Sequence, residues 1–175
     1  MTEIRLLTGA DQQALTIPNE AFPLMGRLVV TRTAEAWGYH EELLPREAWE
    51  EQTFPDEDYQ IATVLQKGFA VGAFEGETCV GLALFEMDWL KYVYLADLKV
   101  NRQARGKGIA AALLEVGRKE AVNRGKAGIW TIGQDNNLGA CRFYLKQGFV
   151  IGGLNTNVYR HTQQEGKGDV YFYWE

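Results

Sequence analysis

The feature that most restricts the fold is an abrupt change of hydrophobic period near residue 101. Upstream lie three apolar segments rich in strand formers, Phe69–Phe74, Thr78–Met87 and Tyr92–Val100. Only Glu75-Gly76-Glu77 and Asp88-Trp89-Leu90-Lys91 divide them. Connections this short join antiparallel neighbours, so the three form a meander. After the polar stretch Asn101–Lys107, Ile109, Leu113 and Val116 recur at helical spacing, with Ala110, Leu114 and Ala121 beside them. Arg118, Lys119 and Arg124 place positive charge in the last turns, and Gly125 suits the position that closes the helix. Ala127–Ile132 then reads as a buried strand. The order strand, helix, strand requires a parallel pair with a right-handed crossover.

The remaining elements follow with less pattern. Asn136 and Asn137 are good N-cap types for a second helix running through Leu145 to Gln147, which Gly148 stops. Phe149–Ile151 begins another strand. Val170–Trp174 forms the last one, expected to pair within 153–160. Pro18, Pro23, Pro45 and Pro55 all fall in the first third, where apolar periodicity is weakest. Residues 8–65 therefore read as short helices and loops. The expected class is α/β (α+β): a mixed, mostly antiparallel sheet with a parallel βαβ core and helices on both faces.

Composition excludes several functions. The chain has 175 residues, the size of one ordinary domain, and no apolar run approaches a membrane span of roughly 18 residues. Its start lacks a basic segment followed by an apolar one, so no secretory signal is expected. Cys79 and Cys141 are isolated from each other, as are His40 and His161. This spacing fits neither a disulfide framework nor a metal cluster and points to a reducing, cytoplasmic setting. Residues 1–90 hold 5 Lys/Arg against 16 Asp/Glu, whereas residues 91–175 hold 13 against 7. An acidic half joined to a basic one suits a cationic partner on one side and an anionic partner on the other. A sequence pI near 5.2 makes nucleic acid an unsuitable partner.

The chemistry concentrates in Arg105-Gly106-Lys107-Gly108-Ile109-Ala110, between a strand and a helix start. Backbone amides there have no helical acceptor, the helix dipole adds about half a positive charge, and glycines admit a ligand closely. The reading is an anion site, most simply for a pyrophosphate. A Walker loop is excluded because Gly108, not Ser or Thr, follows Lys107. A dinucleotide fold is disfavoured because Asn101–Arg105 separates the strand from the first glycine, and an antiparallel meander precedes it.

Arg105-x-x-Gly108-x-Ala110 resembles the acetyl-CoA motif of GNAT N-acetyltransferases, Q/R-x-x-G-x-G/A. Asn137-x-x-Ala140-x-x-x-Tyr144-x-x-x-Gly148-Phe149 is similar to a second motif of that family, in the right order. Tyr92–Val100 (YVYLADLKV) resembles the YAYIEDIAV stretch of the streptothricin acetyltransferases within it. Gln134–Asn137, Ala140–Tyr144 and Gly148–Gly153 resemble their QDNN, ACRFY and GFxIGG. Pro18-Asn19-Glu20-x-Phe22 and Gly26-Arg27-Leu28 echo the same group. One departure is Ala96, where those enzymes carry Glu.

The resemblance implies a single domain over 1–175, with a motif core at about 69–153 and a substrate-side region at about 8–65. It implies direct transfer of acetyl from acetyl-CoA to a small cationic amine such as streptothricin, or else to another small amine, a polyamine or a protein amine. A non-catalytic CoA-binding module is the alternative of a different class. The resemblance carries the proton-donor role to Tyr144, and cofactor binding to backbone groups of Leu98, Lys99 and Val100, to Arg105, Gly106, Lys107, Gly108, Ile109 and Ala110, and to Asn137 and Tyr144. Asn137 equally suits a helix cap. A base must deprotonate the amine. Asp97, Glu86 and a water relay are the candidates, with Tyr92 and Tyr94 as polar lining. Strand alternation sets Asp97 opposite Tyr92 and Tyr94 unless a bulge intervenes. Between Glu41 and Asp58 eight carboxylates face Arg46 alone. This run suits steering of a polycation, with Glu41 and Trp37 on the substrate side and Tyr39, Trp49 and Trp89 available for stacking. An exposed acidic helix is the plainer reading. Pairing of two copies through the last strand is an arrangement the family allows.

Overall fold

Residues Phe69–Val100 form the expected meander, and the rest of one large sheet grows from it. The computed structural model describes residues 1–175. It contains eleven strands: β1 (Glu3–Leu6), β2 (Phe22–Leu24), β3 (Gly26–Arg32), β4 (Trp37–Leu43), β5 (Glu50–Gln52), β6 (Gly68–Glu75), β7 (Thr78–Glu86), β8 (Tyr92–Val100), β9 (Gly128–Gln134), β10 (Val150–Asn155) and β11 (Asp169–Trp174). The α-helices are α1 (Ile61–Lys67), α2 (Ile109–Asn123) and α3 (Leu138–Gln147). Seven strands form a sheet in the order β1-β6-β7-β8-β9-β11-β10, while β2 pairs with β5 and β3 with β4. The chain divides into two compact units, one of residues 1–20, 54–130 and 175, the other of 21–53 and 131–174.

In the first unit, β1, β6, β7 and β8 are antiparallel neighbours. Gly76 supplies the positive φ (63°) that the two-residue loop between β6 and β7 needs at its first position. β8 pairs with β9 in parallel over Tyr92–Tyr94, opposite Gly128–Trp130, and α2 is the crossover between them. On one face, Phe69 stacks on Phe85 with ring centroids 4.7 Å apart. α2 lies there because glycines give it room: a Cβ at Gly81 would come within 3.0 Å of Ile109 and 3.2 Å of Leu113. On the opposite face Ala70, Phe74, Leu82 and Leu84 pack against Leu7, Ala14, Leu15, Ile17 and Ile61. Helical segments thus cover both faces, as expected.

Gly117 carries a measurable prediction. A Cβ there would sit 2.2 Å from Cζ of Phe85, which is 1% exposed. Gly and Val differ little in helix propensity, so Gly117→Val isolates the overlap. It is expected to destabilise by about 3 kcal/mol, seen as a lower urea midpoint at unchanged m-value. An unchanged midpoint would show that α2 can lift from the sheet at no cost.

In the second unit, β10 and β11 pair antiparallel from Val150↔Tyr173 to Asn155↔Asp169. The expectation of pairing within 153–160 holds at 153–155 and is corrected beyond, where the chain turns. The region 8–65 needs a larger correction. It holds four short strands and one α-helix, and the acidic run is strand, 3-10 turn and strand rather than a helix. The physical reason lies in β3 and β4. Of their fourteen residues only Leu28 is buried, so no apolar alternation marks them as strands.

Candidate active site

The glycine loop is built as its residues predict. A 3-10 turn (Arg102–Ala104) follows β8, and Gly106 and Gly108 take positive φ of 75° and 77° before α2 begins. No atom lies within 4 Å of a Cβ placed at either glycine, so the space beside both is open. The first amides of α2 lack helical acceptors and face an anion favourably. Left-handed backbone at Gly108, the residue before the helix, continues this run of amides in a conformation that suits an anion.

The charged side chains of the loop are not free, which sequence reasoning missed. Arg105 donates from Nε to the Val100 carbonyl at 3.0 Å and lies 3.3 Å from Glu20. Lys107 lies 3.4 Å from Glu75. Glu20 also accepts from the Arg102 amide at 3.1 Å. Glu20 and Val100 therefore hold Arg105 and Arg102 in place at the start of the loop.

β8 presents a second feature. It pairs with β9 over Tyr92–Tyr94, opposite Gly128–Trp130. Opposite β7 the register shifts, so Leu84 faces Asp97 while Phe85 faces Leu95. Ala96 is the extra residue of a bulge, the exception the alternation argument allowed. Directly opposed residues share a face. Glu86↔Tyr94, Leu84↔Asp97 and Leu82↔Lys99 therefore place Tyr94, Asp97 and Lys99 together, and alternation adds Tyr92. Without the bulge Asp97 would face α2.

Asp97 sits in a polar cluster that no local motif announced. The Tyr59 hydroxyl donates to Asp97 Oδ2 at 3.0 Å, and Lys99 Nζ lies 3.3 Å from the same oxygen. Lys99, only 8% exposed, also donates to Glu57 at 2.5 Å and to the Ile17 carbonyl at 3.4 Å. Asn19 donates to Glu57 at 3.0 Å. Burial pushes the Asp97 carboxyl above its ordinary range, and Lys99 only partly offsets this. Burial also drives the Tyr59 hydroxyl upward, aided by the Asp97 and Glu57 charges, so Tyr59 remains a donor. Burial would raise Glu57 too, but hydrogen bonds from Asn19 and Lys99 leave it below its ordinary value. The Lys99 side chain is thereby committed, leaving its backbone alone for the cofactor role the resemblance implied.

The other expected residues have defined surroundings. Glu86 lies 3.9 Å from Lys67. Tyr94 packs on Trp130 with centroids 4.6 Å apart, and the Tyr92 hydroxyl donates to Glu175 at 2.6 Å. Tyr144, in the second unit, is 8% exposed and packs beside Phe149 and Phe172 at 5.2 and 5.4 Å. Asn137 caps α3, its side chain accepting from the Ala140 amide at 3.2 Å, a contact worth about 1 kcal/mol. Glu41 is gripped by Arg142 through bonds of 2.7 and 2.6 Å, which hold its carboxyl below the ordinary range. The guanidinium of Arg32 covers Trp37 at 5.3 Å, and that of Arg46 covers Trp49 at 4.5 Å. Tyr39 and Trp89 are exposed. Within the acidic run, Glu41 and Glu57 are thus held by basic side chains from distant parts of the chain. Both cysteines are free, and burial pushes the Cys141 thiol up to about 12, which leaves it unreactive at neutral pH. No group of three or more His, Cys, Asp or Glu side chains is arranged to hold a metal, and no helix is long and apolar enough to cross a membrane.

These features agree with known proteins. The model of the acetyltransferase (GNAT) family matches residues 34–149. Streptothricin acetyltransferase A of Bacillus subtilis (strain 168) is 27% identical over 173 residues, 98% of this chain and 99% of its own. A streptothricin acetyltransferase of Escherichia coli is 34% identical over 104 residues, 59% of this chain and 60% of its own. Among solved structures, a provisionally named streptothricin acetyltransferase from Bacillus anthracis str. Ames, in complex with acetyl coenzyme A, superposes with a TM-score of 0.86 at 25% identity. That match covers 100% of this chain and 98% of the other. Nourseothricin acetyltransferase shares the fold, with a TM-score of 0.78 at 21% identity over 98% of this chain and 96% of its own.

Proposed function

The chain belongs to the acetyltransferase (GNAT) family, and from that membership we propose that it transfers acetyl from acetyl-CoA to a primary amine of a small cationic acceptor of streptothricin type. The carrying observation is the open glycine loop at Gly106–Gly108 at the head of α2, in a chain similar over nearly its whole length to a streptothricin acetyltransferase. The residues present fit the donor: open glycines and unpaired helix amides suit a diphosphate, and no metal-ligand cluster competes. Bound acetyl-CoA supplies an activated thioester whose carbonyl an amine can attack.

The amides from Arg105 to Ala110 hold the diphosphate. The main chain of Leu98, Lys99 and Val100 holds the pantetheine arm and polarises the thioester carbonyl. Preorganised donors of this kind lower a barrier by roughly 3 kcal/mol. Asn137 adds a contact to the arm besides its cap. An ammonium has no lone pair, so a base must remove its proton. Asp97 is the best placed of the candidates, because the bulge sets it beside Tyr94 and burial brings its pKa toward the working pH. Glu86, opposite Tyr94, is the second candidate, and a water relay through the pair is the third. Tyr144 donates a proton from Oη to the departing sulfur. Tyr92 and Tyr94 line the acceptor side. Glu41 is committed to Arg142, and the other carboxylates of 41–58 steer cations. In a cell the reaction belongs to the cytoplasm and would confer resistance to the antibiotic.

Ala96, standing where streptothricin acetyltransferases carry Glu, favours a second reading in which the acceptor is a polyamine or another small amine. Thiol release from acetyl-CoA, measured with streptothricin, aminoglycosides and polyamines, separates the two. Saturable turnover is expected with streptothricin. Turnover with polyamines alone would replace the first reading by the second, and none with any amine would reject both.

A further inference from the structure

Lys99 is a buried cation on β8, and it is held by two carboxylates. Its Nζ lies 2.5 Å from Glu57 and 3.3 Å from Asp97, and its side chain is 7% exposed. With both carboxylates ionised, the cluster carries one negative charge in excess. The Asp97 side chain is 16% exposed, so that excess sits in a poorly hydrated place. The groups that face Asp97 come from every neighbouring element. β8 supplies Lys99, the 53–60 segment supplies Tyr59 and Glu57, and β7 supplies Glu86, itself near Lys67 of α1. The Ile17 carbonyl and Asn19 complete the shell around Lys99 and Glu57.

We propose that Lys99 and Tyr59 are positioning residues that hold the Asp97 carboxylate fixed and charged on its face of the sheet, with Glu57 as an opposing charge. The inference rests on the reading of Asp97 as the proton acceptor. Lys99 and Tyr59 act through Asp97, since both engage the same oxygen, Oδ2. That leaves Oδ1 as the oxygen from which Asp97 can accept a proton. Glu57 has two effects of opposite sign. It anchors Lys99, which favours ionised Asp97, and its own charge disfavours it.

The opposite signs provide the test. Lys99→Met removes the cation, so Asp97 should titrate at higher pH, by about one unit or more. Tyr59→Phe removes one donor and should move it upward by less. Glu57→Gln keeps an acceptor for Lys99 but removes a like charge, so Asp97 should titrate at lower pH. A merely structural role gives no such reversal.

The direct readout is carboxyl carbon NMR of Asp97, assigned by the signal lost in Asp97→Asn. The acid limb of kcat/KM against pH is recorded in parallel. Movement up for Lys99→Met and down for Glu57→Gln supports the proposal. An Asp97 titration unchanged by Glu57→Gln and Tyr59→Phe overturns it, even if Lys99→Met does not fold. If the NMR titration moves and the kcat/KM limb stays still, the tuning stands and Asp97 is not the base.

Discussion

Tyr144→Phe is expected to lower kcat by about a hundredfold or more while leaving acetyl-CoA affinity nearly unchanged, which steady-state kinetics beside calorimetric titration would show. General acids contribute on this scale by delivering a proton to the departing sulfur as the bond breaks. Tyrosine suits the task, since a phenol of pKa near 10 is almost wholly protonated at neutral pH. Phenylalanine keeps the ring, and with it the packing beside Phe149 and Phe172. Stability should therefore change little, and a fall in kcat is attributable to the hydroxyl. A kcat equal to that of the unaltered chain would remove Tyr144 from the mechanism and leave it as a core aromatic.

Ala110→Glu should abolish acetyl-CoA binding and raise thermal stability slightly. Ala110 is the second residue of α2, half-buried, in the turn whose amides lack helical acceptors. A carboxylate there interacts favourably with the helix dipole, by about 0.3–1 kcal/mol. The same carboxylate occupies the positive potential that a diphosphate needs, and adds like-charge repulsion. The substitution therefore separates folding from binding. Loss of the calorimetric signal with an equal or higher melting temperature is the expected pair of results. Undiminished binding would show that the diphosphate is held elsewhere, and the proposed function would lose its main support.

The structure also explains where sequence reading was sound and where it fell short. β8 was legible to the residue, from Tyr92 to Val100, because two close turns and a run of strand formers bound it. α3 and its cap at Asn137 were legible for a similar reason: capping chemistry acts over three residues. β3 and β4 were not, because nearly every side chain in that ribbon is partly wet and the pattern reports burial rather than strand. Glu41 illustrates a different limit. Its charge suggested a substrate contact, yet Arg142, 101 residues away, takes both carboxylate oxygens. Tyr59 was missed altogether, and the roles of Glu57 and Asn19 in the cluster were not foreseen, since nothing near them in the chain signals Asp97.

What the amino-acid order determined by itself was local: the meander, the crossover helix, the glycine loop before it, and through those motifs the family. Each depends on interactions within a few residues, so periodicity and turn chemistry suffice to reveal it. Tertiary structure alone decided the bulge at Ala96, which turns Asp97 to the face of Tyr94, and the gathering of Tyr59, Glu57 and Lys99 around it. A bulge is set by pairing against β7, and the cluster by burial against segments some forty residues distant. Neither leaves a mark on the local pattern, because both are properties of the packed sheet.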